Sequence, residues 1–225
     1  VRISAEQASR FAKHIAGDYN PIHNTDARRF CVPGDLLFAL VLKQFGLSQR
    51  MSFRFLNMVS GGTLLSFVEH DDGRLSVNGD DGKCYLEVER SGETTHDEAI
   101  LEAFTRCYVA FSGKNFPHYL KPLMEEEGVM FNPRRPLVIY DSMGFSLDSL
   151  EGLSPGLELT SSSLDVIGKR ADVLLEFLIH DRGASAGTGS KKLVVSGLQA
   201  YDPAEMDAIV DEFYRLKAAF EAEVE

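Results

Sequence analysis

Short alternating segments, each closed by a turn cluster, occur in two stretches of this chain. They constrain its fold more than any other feature. Residues 51–56 alternate apolar and polar side chains, 63–69 are rich in β-formers, and 83–90 alternate again. Ser60-Gly61-Gly62, Asp71-Asp72-Gly73 and Asp80-Asp81-Gly82 stand between or within them. Period two with such punctuation marks an antiparallel meander. Strand signals return at 143–147, 157–166, 171–180 and 192–200. The stretches also match each other. Residues 51–56 resemble 143–148 at an offset of 92, 60–65 resemble 154–159 at 94, and 86–92 resemble 178–183 at 92. Any two meanders share turn chemistry, but a shared offset points to a duplicated unit.

Helical signals surround the meanders. Ser4 with Gln7 is a capping-box pattern and opens a helix through about Ala16, with Ala8, Phe11, Ala12 and Ile15 on one face. Gly17 stops it, and Pro21 drives the loop 18–23 out of helical space. A second short helix is expected over 25–30. Pro33-Gly34-Asp35 opens a third over 36–45, apolar nearly all round and therefore buried on most faces. Residues 100–111 read as a strand. Residues 115–128 hold a short acidic helix, 132–136 an extended linker, 183–190 a mobile Gly/Ser/Ala loop, and 203–222 an amphipathic helix. The expected class is α+β: two units of helix plus curved antiparallel sheet, 1–112 and 113–225, the second degenerate.

Composition narrows the function. The net charge is −11, a field that repels phosphate backbones and disfavours nucleic acid as a partner. Cys31, Cys84 and Cys107 fit neither a disulfide framework nor a zinc ligand set, which indicates a reducing compartment. The longest apolar run, 36–42, has seven residues against the roughly 18 or more a membrane helix needs. No leader pattern opens the sequence, so a cytoplasmic protein without a membrane partner is expected.

The strongest local signal is Gly17-Asp18-Tyr19-Asn20-Pro21-Ile22-His23. An aspartate and a histidine five positions apart on a rigid turn hold a carboxylate and an imidazole around one small volume. A carboxylate orients or deprotonates water, and histidine exchanges protons near neutral pH. The same residues are also ordinary turn vocabulary, with Asp18 as a helix cap.

Context favours the chemical reading. The segment resembles the signature of the MaoC-like, (R)-specific enoyl-CoA hydratase family: a short helix, then Asp-x-Asn-Pro-Ile/Leu-His, then a stretch with an alanine and a phenylalanine, here Ala27 and Phe30. The run from Phe53 to Gly62 is similar to the phenylalanine-bearing strand and turn that follow. The resemblance implies a double hotdog, two sheets each wrapping a helix, acting as an intramolecular pseudo-dimer and leaving a homodimer open. It implies that Asp18 and His23 activate water and shuttle a proton across the double bond of an enoyl thioester. Gly34 would offer its backbone N–H to the thioester oxygen, a donor placed where charge develops. Asn20, Phe30, Asp35 and Phe55 would line the substrate. The acyl carrier would be coenzyme A or acyl carrier protein, and no metal or redox cofactor is implied.

The chain departs from the family pattern before its central helix. Val32-Pro33-Gly34 followed by Asp35 replaces Ala-His-Gly, Pro33 removes one N–H donor, and Asp35 adds a charge that opposes an oxyanion if it points inward. Two other readings stay open: a non-catalytic binder of an acyl or other apolar ligand, and an acyl thioesterase. The stretch 113–118 faintly echoes the motif without its aspartate. His14, His70, His96 and His180 read as surface or second-rank positions. The pairs Arg134-Arg135, Lys169-Arg170 and Lys191-Lys192 read as solvated surface, with phosphate binding as the alternative.

Overall fold

The structure, a computed structural model, describes every residue except Arg135, residues 223–225 and the side chain of Asn115. Ser4 and Gln7 close a reciprocal capping box on helix α1 (Ala5–Arg10), which runs on as a π-helical turn over Phe11–Ala16. Gly17 ends it at φ 65°, a left-handed conformation that glycine adopts cheaply. Residues 25–30 do not form the expected helix. They make successive tight turns, Ala27 N donating to Asn24 O and Phe30 N to Ala27 O, because Asn24, Thr25 and Asp26 compete with helical bonding.

Helix α2 (Gly34–Phe45) starts where Pro33 fixes φ at −56°, and it buries Asp35, Leu37, Phe38, Val41 and Leu42. Strands β1 (Leu47–Phe55), β2 (Leu65–Glu69), β3 (Leu75–Gly79) and β4 (Cys84–Thr95) follow as an antiparallel meander. The expected strand at 100–111 is instead helix α3 (Glu98–Ala110). Asp97 caps it by accepting from Ala99 N and Ile100 N, and Phe104 and Tyr108, one turn apart, are buried. A period near 3.6 thus prevails over the local β-propensity.

After a π-helical turn at Asn115–Leu120 come α4 (Lys121–Glu126), β5 (Val129–Phe131), β6 (Leu137–Leu147), β7 (Pro155–Ile167), β8 (Arg170–Asp181), β9 (Ala184–Ser196), β10 (Leu198–Ala200) and α5 (Pro203–Ala222). The presumed loop 183–190 is mostly strand β9, bonded on both sides by β6 and β8. Its small residues have a packing reason: a Cβ at Gly189 would lie 2.3 Å from the Phe177 ring.

Eight strands form one sheet in the order β2-β3-β4-β1-β6-β9-β8-β7, and β5 pairs with β10 apart from it. The order reads the same inward from either edge. At its centre Ser52 of β1 faces Gly144 of β6, two positions separated by the 92 residues of the sequence repeat. The third repeat match needs correction. β4 corresponds to β9 in the sheet order, whereas Leu178 lies on β8. The β7–β8 hairpin has strands of 13 and 12 residues against 5 and 5 in β2–β3, so the offset drifts along the chain.

One face of the sheet carries the core. Met51, Phe53, Met143, Phe145, Val173, Leu175 and Phe177 are buried. Phe38 of α2 stacks on Tyr108 of α3 at 4.7 Å and tilts against Phe53 at 4.9 Å. Phe104 meets Phe145 at 4.7 Å, and Tyr108 meets Phe177 at 5.6 Å. Such pairs add about 0.5–1.5 kcal/mol each beyond area burial. Two helix-and-meander units joined edge to edge make an α+β double hotdog. Among the described residues no helix is long and apolar enough to cross a membrane.

Candidate active site

The loop after Gly17 is built by its own side chains. Asp18 Oδ1 accepts from Asn20 N at 2.9 Å, and Asn20 Oδ1 accepts from Ile22 N at 3.2 Å. Asn20 Nδ2 also donates to Val138 O at 3.1 Å, tying the loop to β6. Pro21 opens a 3-10 turn, Pro21–His23, that swings the imidazole back over the loop. His23 Nδ1 lies 2.7 Å from Cys31 O. A carbonyl only accepts, so Nδ1 carries a proton, and Nε2 is left facing Asp18 Oδ2 at 3.5 Å. The loop is pressed from behind by Gly113, where a Cβ would lie 2.6 Å from Ala16 O and 2.7 Å from Gly17 O. The faint echo at 113–118 therefore begins against the true motif; His118 itself is exposed.

His23 is 8% exposed. Burial pushes its pKa down, but the Asp18 carboxylate, the Cys31 carbonyl and the more distant Asp35 charge outweigh that, and the net displacement is upward. The folded chain therefore holds the imidazolium more readily than the unfolded chain does. The neighbouring Cys31 thiol is pushed up to about 11 by burial, which leaves it protonated and a poor nucleophile at neutral pH.

Asp18 and His23 open into a cavity of about 480 Å³. Gly34, Asn20 and Phe55 line it too, with Leu37, Val59, Val138 and Ile139 as apolar wall and Ile209, Phe213 and Leu216 of α5 across it. Gly34 lets the start of α2 approach: a Cβ there would sit 3.0 Å from Phe55 Cε1 and 3.2 Å from Tyr140 Cδ2. Leu36 N and Leu37 N both donate to Pro33 O. The Gly34 and Asp35 N–H groups precede them in the first turn, where no acceptor exists within the helix.

Two of the residues expected to line the substrate lie away from this cavity. Phe30 does not line the cavity; its ring lies toward Gly61, where a Cβ would be 3.3 Å from Phe30 Cε1. Asp35 does not line it either. It is 1% exposed and turned inward onto Lys191, which is 0% exposed, with Nζ and Oδ1 3.5 Å apart. The solvated reading of Lys191 is thereby overturned, while Lys192 pairs with Asp172 at the surface. Arg170 also holds Asp172, and Arg135 lies outside the described residues.

Lys191 Nζ donates to Tyr108 O at 2.8 Å and to Ser112 Oγ at 3.0 Å, and lies 4.4 Å from the Tyr108 ring centre. Burial pushes the Lys191 pKa down, opposed by Asp35. Burial likewise pushes Asp35 up, opposed by Lys191. Ser112 Oγ is hydrogen-bonded to the Tyr140 hydroxyl, and both residues line the cavity. Sequence reasoning missed this group, although one signal for Lys191 was present. Leu193 and Val195 face inward, and period two puts Lys191 in their phase and Lys192 out of it. Nothing local marks Ser112 or Tyr140. Among the described residues, no cluster of three or more His, Cys, Asp or Glu side chains is placed to hold a metal ion.

The chain is similar in fold to several solved structures. An acyl-CoA thioesterase II from Mycobacterium marinum shares 11% identity over 76% of this chain and 91% of its own, with a TM-score of 0.43. A MaoC-like dehydratase shares 9% over 86% and 94%, TM-score 0.42. Another from Phytophthora capsici shares 10% over 84% and 92%, TM-score 0.38. Likeness at this level carries nothing about the reaction. No curated protein matches the sequence. Residues 1–204 match the family described as "Protein of unknown function (DUF3581)", and the chain belongs to that family.

Proposed function

We propose that the protein is a hydro-lyase that adds water to a trans-2-enoyl thioester, or runs the reverse dehydration. The observation that carries this reading is the convergence of Asp18, His23 and the first turn of α2 on one largely apolar cavity. In the forward direction the Asp18 carboxylate takes a proton from water as the water oxygen bonds to the β-carbon. The π-electrons move to the carbonyl oxygen, where the Gly34 N–H stabilises the developing enolate. The enolate collapses as His23 gives its Nε2 proton to the α-carbon. Asp18 returns the water's proton to His23 across the 3.5 Å gap. One C–O and one C–H bond form, one π bond is lost, and both side chains return to their starting states.

Neither a metal nor a redox cofactor enters these steps. We infer that the substrate reaches the site on coenzyme A or acyl carrier protein, and that the protein works in the cytoplasm as a pseudo-dimer of 1–112 and 113–225. A second reading, a non-catalytic binder, draws on Asp18 Oδ1, which the turn engages through Asn20 N.

The test incubates short, medium and long enoyl thioesters with wild type, Asp18→Asn and His23→Ala, reading enoyl absorbance and free thiol together. Loss of absorbance without thiol, abolished in both variants, is the expected result. Thiol release assigns the same pair to thioester hydrolysis. Saturable binding with neither change assigns the cavity to a binder.

A further inference from the structure

We propose that the Ser112 hydroxyl, backed by the buried Lys191 ammonium, is the side-chain hydrogen-bond donor for the thioester carbonyl oxygen, with Lys191 as its positioning residue. The inference rests on the thioester reading above and adds a second pole to that cavity, with Ser112 from 1–112 and Lys191 from 113–225.

Three observations carry it. First, Ser112 is at the cavity wall, and its neighbour Gly113 touches the backbone of Gly17, which precedes Asp18. The hydroxyl and the acid–base pair thus line one volume from adjoining loops. Second, Lys191 Nζ donates to two acceptors, Tyr108 O at 2.8 Å and Ser112 Oγ at 3.0 Å, and lies 3.5 Å from Asp35 Oδ1 at ion-pair distance, without a hydrogen bond to it. Ser112 therefore accepts from a cation, which polarises its own O–H and makes it a stronger donor. The Tyr140 hydroxyl shares a hydrogen bond with it in which either oxygen can donate. Third, a stabilising role alone does not account for the lysine. Its cross-strand neighbours are Met143 and Leu175, both buried and apolar. Apolar replacement of a buried pair in such a setting is often neutral or stabilising. A fixed positive charge behind a cavity hydroxyl is an arrangement that favours an oxyanion in a site of low dielectric. It also offsets Asp35, whose charge at the start of α2 otherwise opposes one, and it supplements a first turn from which Pro33 has removed a donor.

The test uses cinnamoyl-CoA, a conjugated thioester whose absorption moves to longer wavelength when its carbonyl oxygen accepts a strong hydrogen bond. It is bound to Asp18→Asn protein, so that no hydration intervenes. The shift is expected in that background and is expected to vanish when Ser112→Ala is added, while Ser112→Thr restores it. Lys191→Met combined with Asp35→Asn, which leaves no lone buried charge, also reduces it. In otherwise wild-type protein, Ser112→Ala lowers kcat about 10²–10³-fold, as loss of one oxyanion donor does, with little change in KM. A shift that survives Ser112→Ala overturns this inference and leaves the hydration reading standing. Wild-type protein that neither binds nor turns over any thioester overturns both.

Discussion

Gly113→Ala tests how the motif loop is held. The new Cβ would lie 2.6 Å from Ala16 O, 2.7 Å from Gly17 O and 2.9 Å from Gly17 C, where ordinary contact begins near 3.4 Å. The shortfall reaches 0.8 Å, and every atom met is backbone, so no side chain can swing aside. The loop itself must move, although Asp18 N is fixed to Ala12 O at 2.8 Å. Overpacking of this kind costs about 1–3 kcal/mol. In a chain of this size that lowers Tm by about 2–12 °C. Displacing Gly17 also draws Asp18 from His23, so the His23 pKa falls because burial is then less opposed. Thermal unfolding and an NMR titration of the His23 ring read the two effects. Gly156→Ala, where no atom lies within 4 Å of the new Cβ, serves as control and is expected to change little. A Gly113→Ala protein with unchanged Tm and unchanged His23 titration refutes the reasoning.

Asp18→Asn removes the group that does most to raise the His23 pKa, so that pKa falls and the pH dependence of stability changes. With a folded pKa above the unfolded value of about 6.5, the wild-type contribution is complete below the unfolded value and is lost as pH rises through the folded one. The stability gap between wild type and Asp18→Asn therefore narrows from acid to alkaline pH, as denaturant midpoints check. Phe38→Ala removes a fully buried ring in contact with Phe53 and Tyr108, and chemical unfolding should show a loss of about 3–5 kcal/mol. Asn20→Ala breaks the bonds to Ile22 N and Val138 O. It should cost about 1–3 kcal/mol and, if the loop positions the acid–base pair, lower kcat more than it raises KM in the enoyl thioester assay.

Much of the fold was legible because its signals are local. The capping box at Ser4, the stop at Gly17 and the alternation of β1 all settle within a few residues, and the structure keeps them. The 92-residue repeat also corresponds to a physical pair, Ser52 opposite Gly144. The aromatic and β-branched residues of helix α3 suit a strand locally; the decisive information is its packing on Phe38 and Phe145, which no short window contains. The Gly-rich start of β9 shows the converse, since neighbours on both sides turn a flexible composition into strand.

The site divides along the same line. Asp18, Asn20 and His23 lie within six residues, so their spacing allows a shared volume, and the family resemblance rather than the spacing favours the chemical reading. Lys191, Ser112 and Tyr140 come from distant segments and meet only through the sheet and the α3 end. Asp35 is legible as a charge at the start of α2, and Lys191 as an inward position of β9, but not their pairing.

The most direct measurement of the central claim is the fate of heavy-oxygen water incubated with the protein and an enoyl thioester, read by mass spectrometry of the product. Label in a hydroxyl on the β-carbon, absent with Asp18→Asn and with His23→Ala, is the expected result. Label in a free carboxylate, or in no product at all, contradicts hydration as the work of this site.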